Sequence, residues 1–512
     1  MEISRQRPNV MSSASPRRLT ASFVVLTIGL GFAGMVCATA SYREAGAVAA
    51  VSLGVAFLLA APISMEAVIL AWFATTPLAS FYLRFPTDRS IITFNRVVFG
   101  LLLVMLLESY RVFKMPDPRL AISSSKERVN FSLSRFEIAW ALLSLMALAS
   151  AVAHSNNVAY ATRIAIDTFW LPLFAFHCAR KCFDLRTSGR LLLLACMALA
   201  LFLFAVGAIE LATGIDLFRY KGAELMRAGE LRVNGPFAAD SSFAIICLIL
   251  FLFLQAAPKL IRARFDRGGR FVYAGATVAA ALGALLPLFR VVAFAIVFCW
   301  IVQRWLSRRD PRRALKAVAV RSLLPVVSLI AVILIVLGSW LVTTPPARSG
   351  GRLLNPRSVF GRLATWQGAA EIALENPVFG VGLGNYADYY DASHYYAGEA
   401  REEILDTKAA DSPHSNLLWI ASELGLPAAA VYIVANLYLF LMGWRALKRA
   451  DGHRQRLAAA CFLSLVVAYW IPGLTLTSGY YSDLNLYFLF LLGASSTPFS
   501  SVDGVGETPG HS

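Results

Sequence analysis

Apolar residues run through this chain in long blocks, separated by short polar segments that are mostly basic. A helix crosses the hydrocarbon of a bilayer with roughly 20 mainly apolar residues. Runs that meet or approach that length lie at 20–40, 46–63, 66–84, 96–108, 136–154, 161–179, 190–212, 240–257, 271–289, 291–306, 322–343, 415–443, 457–475 and 483–496. The runs at 96–108 and 483–496 are short, and 46–63 with 66–84 form a tight pair, so the pattern predicts 12–14 transmembrane helices. The fold class is an all-α multi-pass integral membrane protein, with one long periplasmic loop that contains short helices.

Lys and Arg density gives the orientation, because cytoplasmic loops carry the basic excess. Basic runs at 109–135, 180–190, 258–270, 304–321 and 445–456 are separated by even numbers of predicted spans. They share a side with the basic N-terminus (Arg5, Arg7, Arg17, Arg18), which reads as a cytoplasmic tail ahead of a retained first helix. Only 85–96, with Arg89 and Arg96, runs against the rule. Segments 213–239 and 344–414 then face outward, in a bacterium the periplasm or cell exterior. The second is about 70 residues long, and long loops on a rigid scaffold are where function concentrates.

Composition removes the competing classes. Of 512 residues, 58% are hydrophobic and 15% charged, against about 45–50% and about 25% in soluble domains. A water-soluble chain would lack the polar surface to cover such a core, and 34 Phe, 17 Tyr and 10 Trp exclude a solvated disordered chain. The net charge of +16 is spent in loops that would face anionic lipid, so nucleic acid is not a partner. Seven cysteines, at 37, 178, 182, 196, 247, 299 and 461, lie in or beside apolar runs. They suggest neither a disulfide framework nor a metal site.

The long outside loop carries most of the candidate chemistry. Leu363, Trp366, Ala370 and Leu374 recur at helical spacing, and Asn376-Pro377 ends that helix. Gly380-Val381-Gly382-Leu383-Gly384-Asn385-Tyr386 follows; alternate glycines permit tight turns and close backbone approach to a ligand. No strand precedes the run and no clear helix follows it, so it is not a dinucleotide fingerprint. His414, in Ser412-Pro413-His414-Ser415-Asn416, meets the next span. It is either an interfacial anchor or a general base. Glu423, nine residues on, can pair within the bundle. Arg290 interrupts the apolar stretch Leu285–Phe294 and is either a functional residue at membrane depth or a snorkelling arginine in a tight hairpin. Arg227 and Arg232 stand in the other outside segment, before the turn Asn234-Gly235-Pro236. Arg163 and Asp167, one turn apart, read as a structural pair. Arg232, Arg290 and His414 map to one face, and arginine suits bidentate phosphate binding.

These residues resemble the bacterial O-antigen ligase and O-antigen polymerase superfamily. The resemblance is carried by Arg362-x-x-x-Trp366, Asn376-Pro377-x-x-Gly380-x-Gly382-x-Gly384-Asn385-Tyr386, His414-Ser415-Asn416 and Glu423-x-Gly425. Arg290 stands where the family places Ser-Arg at a helix end, with Phe289 replacing the serine, and Arg232 precedes a Gly-x-Phe turn. The match covers about residues 225–430. It implies a glycosyltransferase of the bacterial inner membrane, with its active site facing the periplasm, in lipopolysaccharide or exopolysaccharide biosynthesis. The donor would be an undecaprenyl-diphosphate-linked glycan, and the acceptor lipid A core (ligase) or a second lipid-linked glycan (polymerase). No cofactor and no metal are implied.

On that resemblance His414 is the base, and Arg232, Arg290 and Arg362 bind diphosphate or substrate. Trp366, Gly380, Gly382, Gly384, Tyr386, Asn416 and Glu423 contact glycan or shape the loop. The layout is a basic tail 1–19, N-terminal helices 20–212, a ligase-like core 213–443 including loop 344–414, C-terminal helices 444–496 and a disordered tail 497–512. Two readings from other classes stand beside this one. A secondary transporter would use acids such as Asp167 and Glu210, although no repeated halves are visible. A scaffold or flippase partner would have no chemistry of its own.

Overall fold

The computed structural model describes residues 65–82, 84–85, 92–109, 133–183, 185, 187–215, 217–218, 226–227, 230–231, 233–237, 239–308, 357–390 and 412–497. The predicted spans at 20–40, 46–63 and 322–343, most of both tails, and Arg232 lie outside the described residues. Those residues are helical apart from turns and two antiparallel pairs of two-residue strands, Arg84–Phe85 with Ile92–Thr93 and Met226–Arg227 with Glu230–Leu231. The protein is an all-α multi-pass membrane protein.

The chain divides into two compact units, Met1–Leu133 with Asp184–Ala195, and Ser134–Phe183 with Cys196–Ser512. In the first, α1 (Met65–Tyr82) and α2 (Phe94–Ser109) are joined by a Trp72 Nε1 bond to Asn95 Oδ1 of 2.9 Å. Ser188 donates to Glu66 at 2.6 Å.

The second unit holds α3 (Arg135–Ala153), α4 (Val158–Ala165), α5 (Leu171–Cys182), α7 (Asp240–Ile261), α8 (Arg267–Leu285) and α9 (Arg290–Leu306). It continues with α10 (Arg357–Glu375), α11 (Tyr386–Tyr389), α12 (Asn416–Leu424), α13 (Leu426–Lys448), α14 (His453–Gly473) and α15 (Ser482–Ser496). α6 (Gly189–Thr213) runs from the first unit into the second. Five described helices, α3, α6, α7, α13 and α14, are long and apolar enough to cross a membrane.

α7 is buried along nearly its whole length, and α8 and α14 pack on it. α5 and α15 pack so closely that a Cβ on Gly493 would lie 2.6 Å from the Phe176 carbonyl oxygen, the usual role of small residues between membrane helices. Side chains satisfy helix ends that sequence continuity leaves open. Arg454 Nε donates to Leu260 O at 2.6 Å and Arg456 Nε to Leu306 O at 3.0 Å. These cations cap the C-termini of α7 and α9, where the helix dipole favours positive charge. At the start of α7 the N-cap is Ala239, and Asp240 instead accepts the Ser241 amide at 2.8 Å.

Two predicted spans are more broken than the hydropathy suggests. Residues 161–179 belong to a helix interrupted by a π segment, Ile166–Trp170. Carbonyls in that segment take side-chain donors, Trp140 Nε1 on Phe169 O at 3.0 Å and Asn485 Nδ2 on Thr168 O at 3.2 Å. The run 415–443 is two helices, divided at Gly425, whose backbone (φ 88, ψ 169) lies in a region essentially reserved for glycine. α12 is thus a nine-residue helix ahead of the spanning helix α13.

Candidate functional site

α10 runs to Glu375 and stops at Asn376-Pro377, as the sequence predicts. Leu363 and Leu374 are exposed, while Ala364, Thr365, Ala369, Ile372 and Ala373 are buried, because α10 packs against α12 through small side chains. The glycine run that follows is folded against protein backbone. Val381 N donates to Ser422 O (2.9 Å), Gly382 N to Glu423 O (3.0 Å) and Leu426 N to Pro377 O (2.8 Å). Gly380, Gly382 and Gly384 all have positive φ, and a Cβ on Gly382 would sit 2.5 Å from His154 O. The run ends in the one-turn helix α11.

His414 heads α12 in a left-handed backbone conformation, φ 53, which is uncommon for a non-glycine residue and persists only where its surroundings hold it. α10 supplies part of that hold. Trp366 Nε1 donates to His414 O at 3.3 Å, and Thr365 Oγ1 reaches Pro413 O at 3.4 Å. Asn416, buried beside it, accepts the Gly479 amide at 2.7 Å and donates to Ser478 Oγ at 3.2 Å. This fixes the turn before α15 to the head of α12. Tyr480 in that turn packs edge-on against Trp419 (5.5 Å), and its hydroxyl meets that of Tyr160 at 2.5 Å. From the α3–α4 turn, Ser155 Oγ donates to Leu383 O at 3.1 Å. Asn385 Nδ2 donates to His154 O at 3.1 Å and to Val381 O at 2.8 Å.

Glu423 lies at the centre of this packing. Its carboxylate accepts from Gly384 N (2.8 Å), Tyr386 N (3.2 Å) and Trp419 Nε1 (2.7 Å). Burial pushes the carboxyl up to about 7, against the three donors that favour its charged form. Burial also raises the Tyr480 hydroxyl, with the neighbouring Tyr160 hydroxyl and Glu423 carboxylate adding to the shift.

Of the residues singled out in the sequence, His414, Trp366, Gly380, Gly382, Gly384, Tyr386, Asn416 and Glu423 form one contiguous cluster, with Arg362 on the same turn of α10 as Thr365 and Trp366. Arg290 heads α9 with an exposed side chain, after a tight turn in which Leu288 has φ 58. Sequence reasoning missed Tyr160, which reaches the cluster from more than 200 residues away in sequence, and the turn 478–481, which lies 63 residues from Asn416 at Gly479. It also missed a triad in which the buried Glu137 pairs with His177 (2.6 Å) and Arg180. The signal available for the triad was the capping box Ser134-x-x-Glu137.

Residues 271–433 match the family model described as O-antigen ligase. The match begins later than the resemblance suggested and leaves Arg232 outside it. No curated protein matches the chain. Arg290, Arg362, Trp366, the glycine run, His414, Asn416 and Glu423 all fall within the matched residues, so this part of a multi-pass membrane protein is similar to the O-antigen ligase family.

Proposed function

We propose that the protein is a periplasm-facing glycosyltransferase of the bacterial inner membrane. It moves a glycan from undecaprenyl diphosphate to an acceptor hydroxyl, with lipid A core as the acceptor. The observation that carries the reading is His414, held in a left-handed backbone at the head of a short helix, beneath a loop clamped to that helix and within the O-antigen ligase match. The His414 imidazole takes the proton of the acceptor hydroxyl, and the freed oxygen attacks the anomeric carbon. The bond from that carbon to the diphosphate oxygen breaks, and the leaving diphosphate carries the charge. Arg232, Arg290 and Arg362 stabilise that charge, which a partly dehydrated site does better than water.

The test is transfer in proteoliposomes supplied with an undecaprenyl-diphosphate oligosaccharide. Lipid A core and a second lipid-linked oligosaccharide are offered separately, with His414→Ala and Arg290→Ala as controls. A single product on lipid A core that vanishes in both variants supports the ligase. A ladder of longer lipid-linked chains makes the protein a polymerase instead. No transfer to either acceptor overturns the proposal.

A further inference from the structure

We infer that Glu423 is a positioning residue for His414, acting through Tyr386 and α10. The inference rests on the proposed role of His414 as the base.

The first half of the glycine run needs no carboxylate. It is tied to α12 and α13 by the backbone bonds of Val381, Gly382 and Leu426. The Glu423 side chain acts on the second half, through the amides of Gly384 and Tyr386, while Trp419 fixes one of its oxygens from within α12. Glu423 is 3% exposed. A buried carboxylate is costly unless its acceptor capacity is filled, and an ionised carboxylate is the one side chain here that accepts from three N–H groups without presenting a donor of its own.

Tyr386 passes the constraint on. Its amide is held by Glu423, its ring stacks on Tyr390 at 5.4 Å, and its hydroxyl donates to Thr365 O at 3.2 Å. Thr365 reaches the Pro413 carbonyl, and the adjacent Trp366 donates to the His414 carbonyl. From His414 the chain returns along α12 to Glu423. The path is closed, and His414 is the point on it where the backbone is left-handed. Cutting the path at Glu423 or at the Tyr386 hydroxyl therefore loosens the same residue while leaving the His414 imidazole in place.

The experiment compares the full-length wild type with Glu423→Gln, Tyr386→Phe and the double variant. Glutamine keeps the volume but turns an amide group toward at least one of the three donors. The expected result is a kcat lowered about tenfold in each single variant, with the donor KM within about twofold. The double variant falls no further than the worse single one, because both cut one path. Two readouts do not depend on transfer. The amides of Gly384 and Tyr386 exchange faster in Glu423→Gln, by mass-spectrometric hydrogen exchange, while those of α14 keep wild-type rates. The pH dependence of His414 modification by diethyl pyrocarbonate, followed on its own peptide, shifts in both variants. If Glu423→Gln fails to fold, Tyr386→Phe decides alone. Wild-type kcat and His414 reactivity in a folded variant overturn the inference, and so do strictly additive effects. If the wild type transfers no glycan, the proposed function fails, while the exchange and modification readouts still decide whether Glu423 positions His414.

Discussion

The seat of the glycine run makes a graded prediction about alanine substitutions. At Gly380 and Gly425 a Cβ would overlap main-chain atoms of Glu423 and Val378, well inside van der Waals contact, and both residues have positive φ. Main chain cannot swing aside, so each alanine combines overpacking, about 1–3 kcal/mol, with backbone strain of about 1–3 kcal/mol. The sum, about 2–6 kcal/mol, is a large share of the ~5–15 kcal/mol that holds a domain together. Gly384 has φ 85, but its nearest neighbours are ring carbons of Tyr160 at 3.3–3.4 Å, part of a side chain that can move. Gly384→Ala should cost about 1–2 kcal/mol, from strain alone. Gly275 lies in α8 with nothing within 4 Å, so Gly275→Ala should be neutral or stabilise by about 0.5–1 kcal/mol. The assay is the apparent unfolding midpoint of purified protein in one detergent at one scan rate, since unfolding of such a chain need not be reversible. The expected order of midpoints is Gly275→Ala, Gly384→Ala, then Gly380→Ala and Gly425→Ala together at the bottom. A Gly380→Ala or Gly425→Ala midpoint that matches Gly384→Ala would refute the close seating of the loop on α12 and α13.

Arg290→Ala should lower transfer about a hundredfold, and Arg290→Lys should keep part of the activity, because a point charge replaces a planar fork; equal activity in wild type and Arg290→Ala removes this arginine from the diphosphate site. Burial holds the folded-state pKa of Glu423 at about 7, above its ordinary value, so its contribution to stability is full below the ordinary carboxylate range and is lost as pH rises through about 7. Relative to Glu423→Gln, the wild-type midpoint should therefore fall between pH 5 and 7.5 and level off above; a constant difference across that range contradicts the shift. Glu137→Ala leaves the buried His177 and the half-buried Arg180 without their carboxylate and should cost about 3 kcal/mol, read as a lower unfolding midpoint; an unchanged midpoint shows the triad to be dispensable.

What the sequence made legible follows from the range over which each signal acts. Membrane helices announce themselves locally, so α3, α6, α7, α13 and α14 fall where apolar runs were counted. The division at Gly425 was overlooked because Leu424, Gly425 and Leu426 continue an apolar run; the available signal was Gly425 followed by Pro427 in the first turn of α13. The helical spacing of Leu363, Trp366, Ala370 and Leu374 marked α10 but not its buried face, which is built from Ala364, Ala369 and Ala373, with the leucines outward. His414, the glycine run and Glu423 were found by their order along the chain. Their partners Tyr160, His154 and Gly479 were not, since no local pattern reports a hydrogen bond spanning 63, 231 or 320 residues.

Those long-range partners bear on how self-contained the matched region is. The match covers residues 271–433, yet the glycine run within it is clamped from outside by the α3–α4 turn, and the head of α12 by the turn before α15. Asn385 is the cleanest test of the first clamp. It is 3% exposed, donates to His154 O and Val381 O, and accepts from Asn156 N at 3.3 Å. Asn385→Ala leaves these groups without that partner and should cost about 2–3 kcal/mol. Asn385→Asp keeps the acceptor but loses both donated bonds, and should fall between alanine and wild type. If the clamp contributes to the site and not only to stability, both variants should speed amide exchange in the peptide spanning the α3–α4 turn as well as in the glycine run. Faster exchange in the glycine run alone would show that the loop folds without its neighbour, and that residues 271–433 carry the whole site.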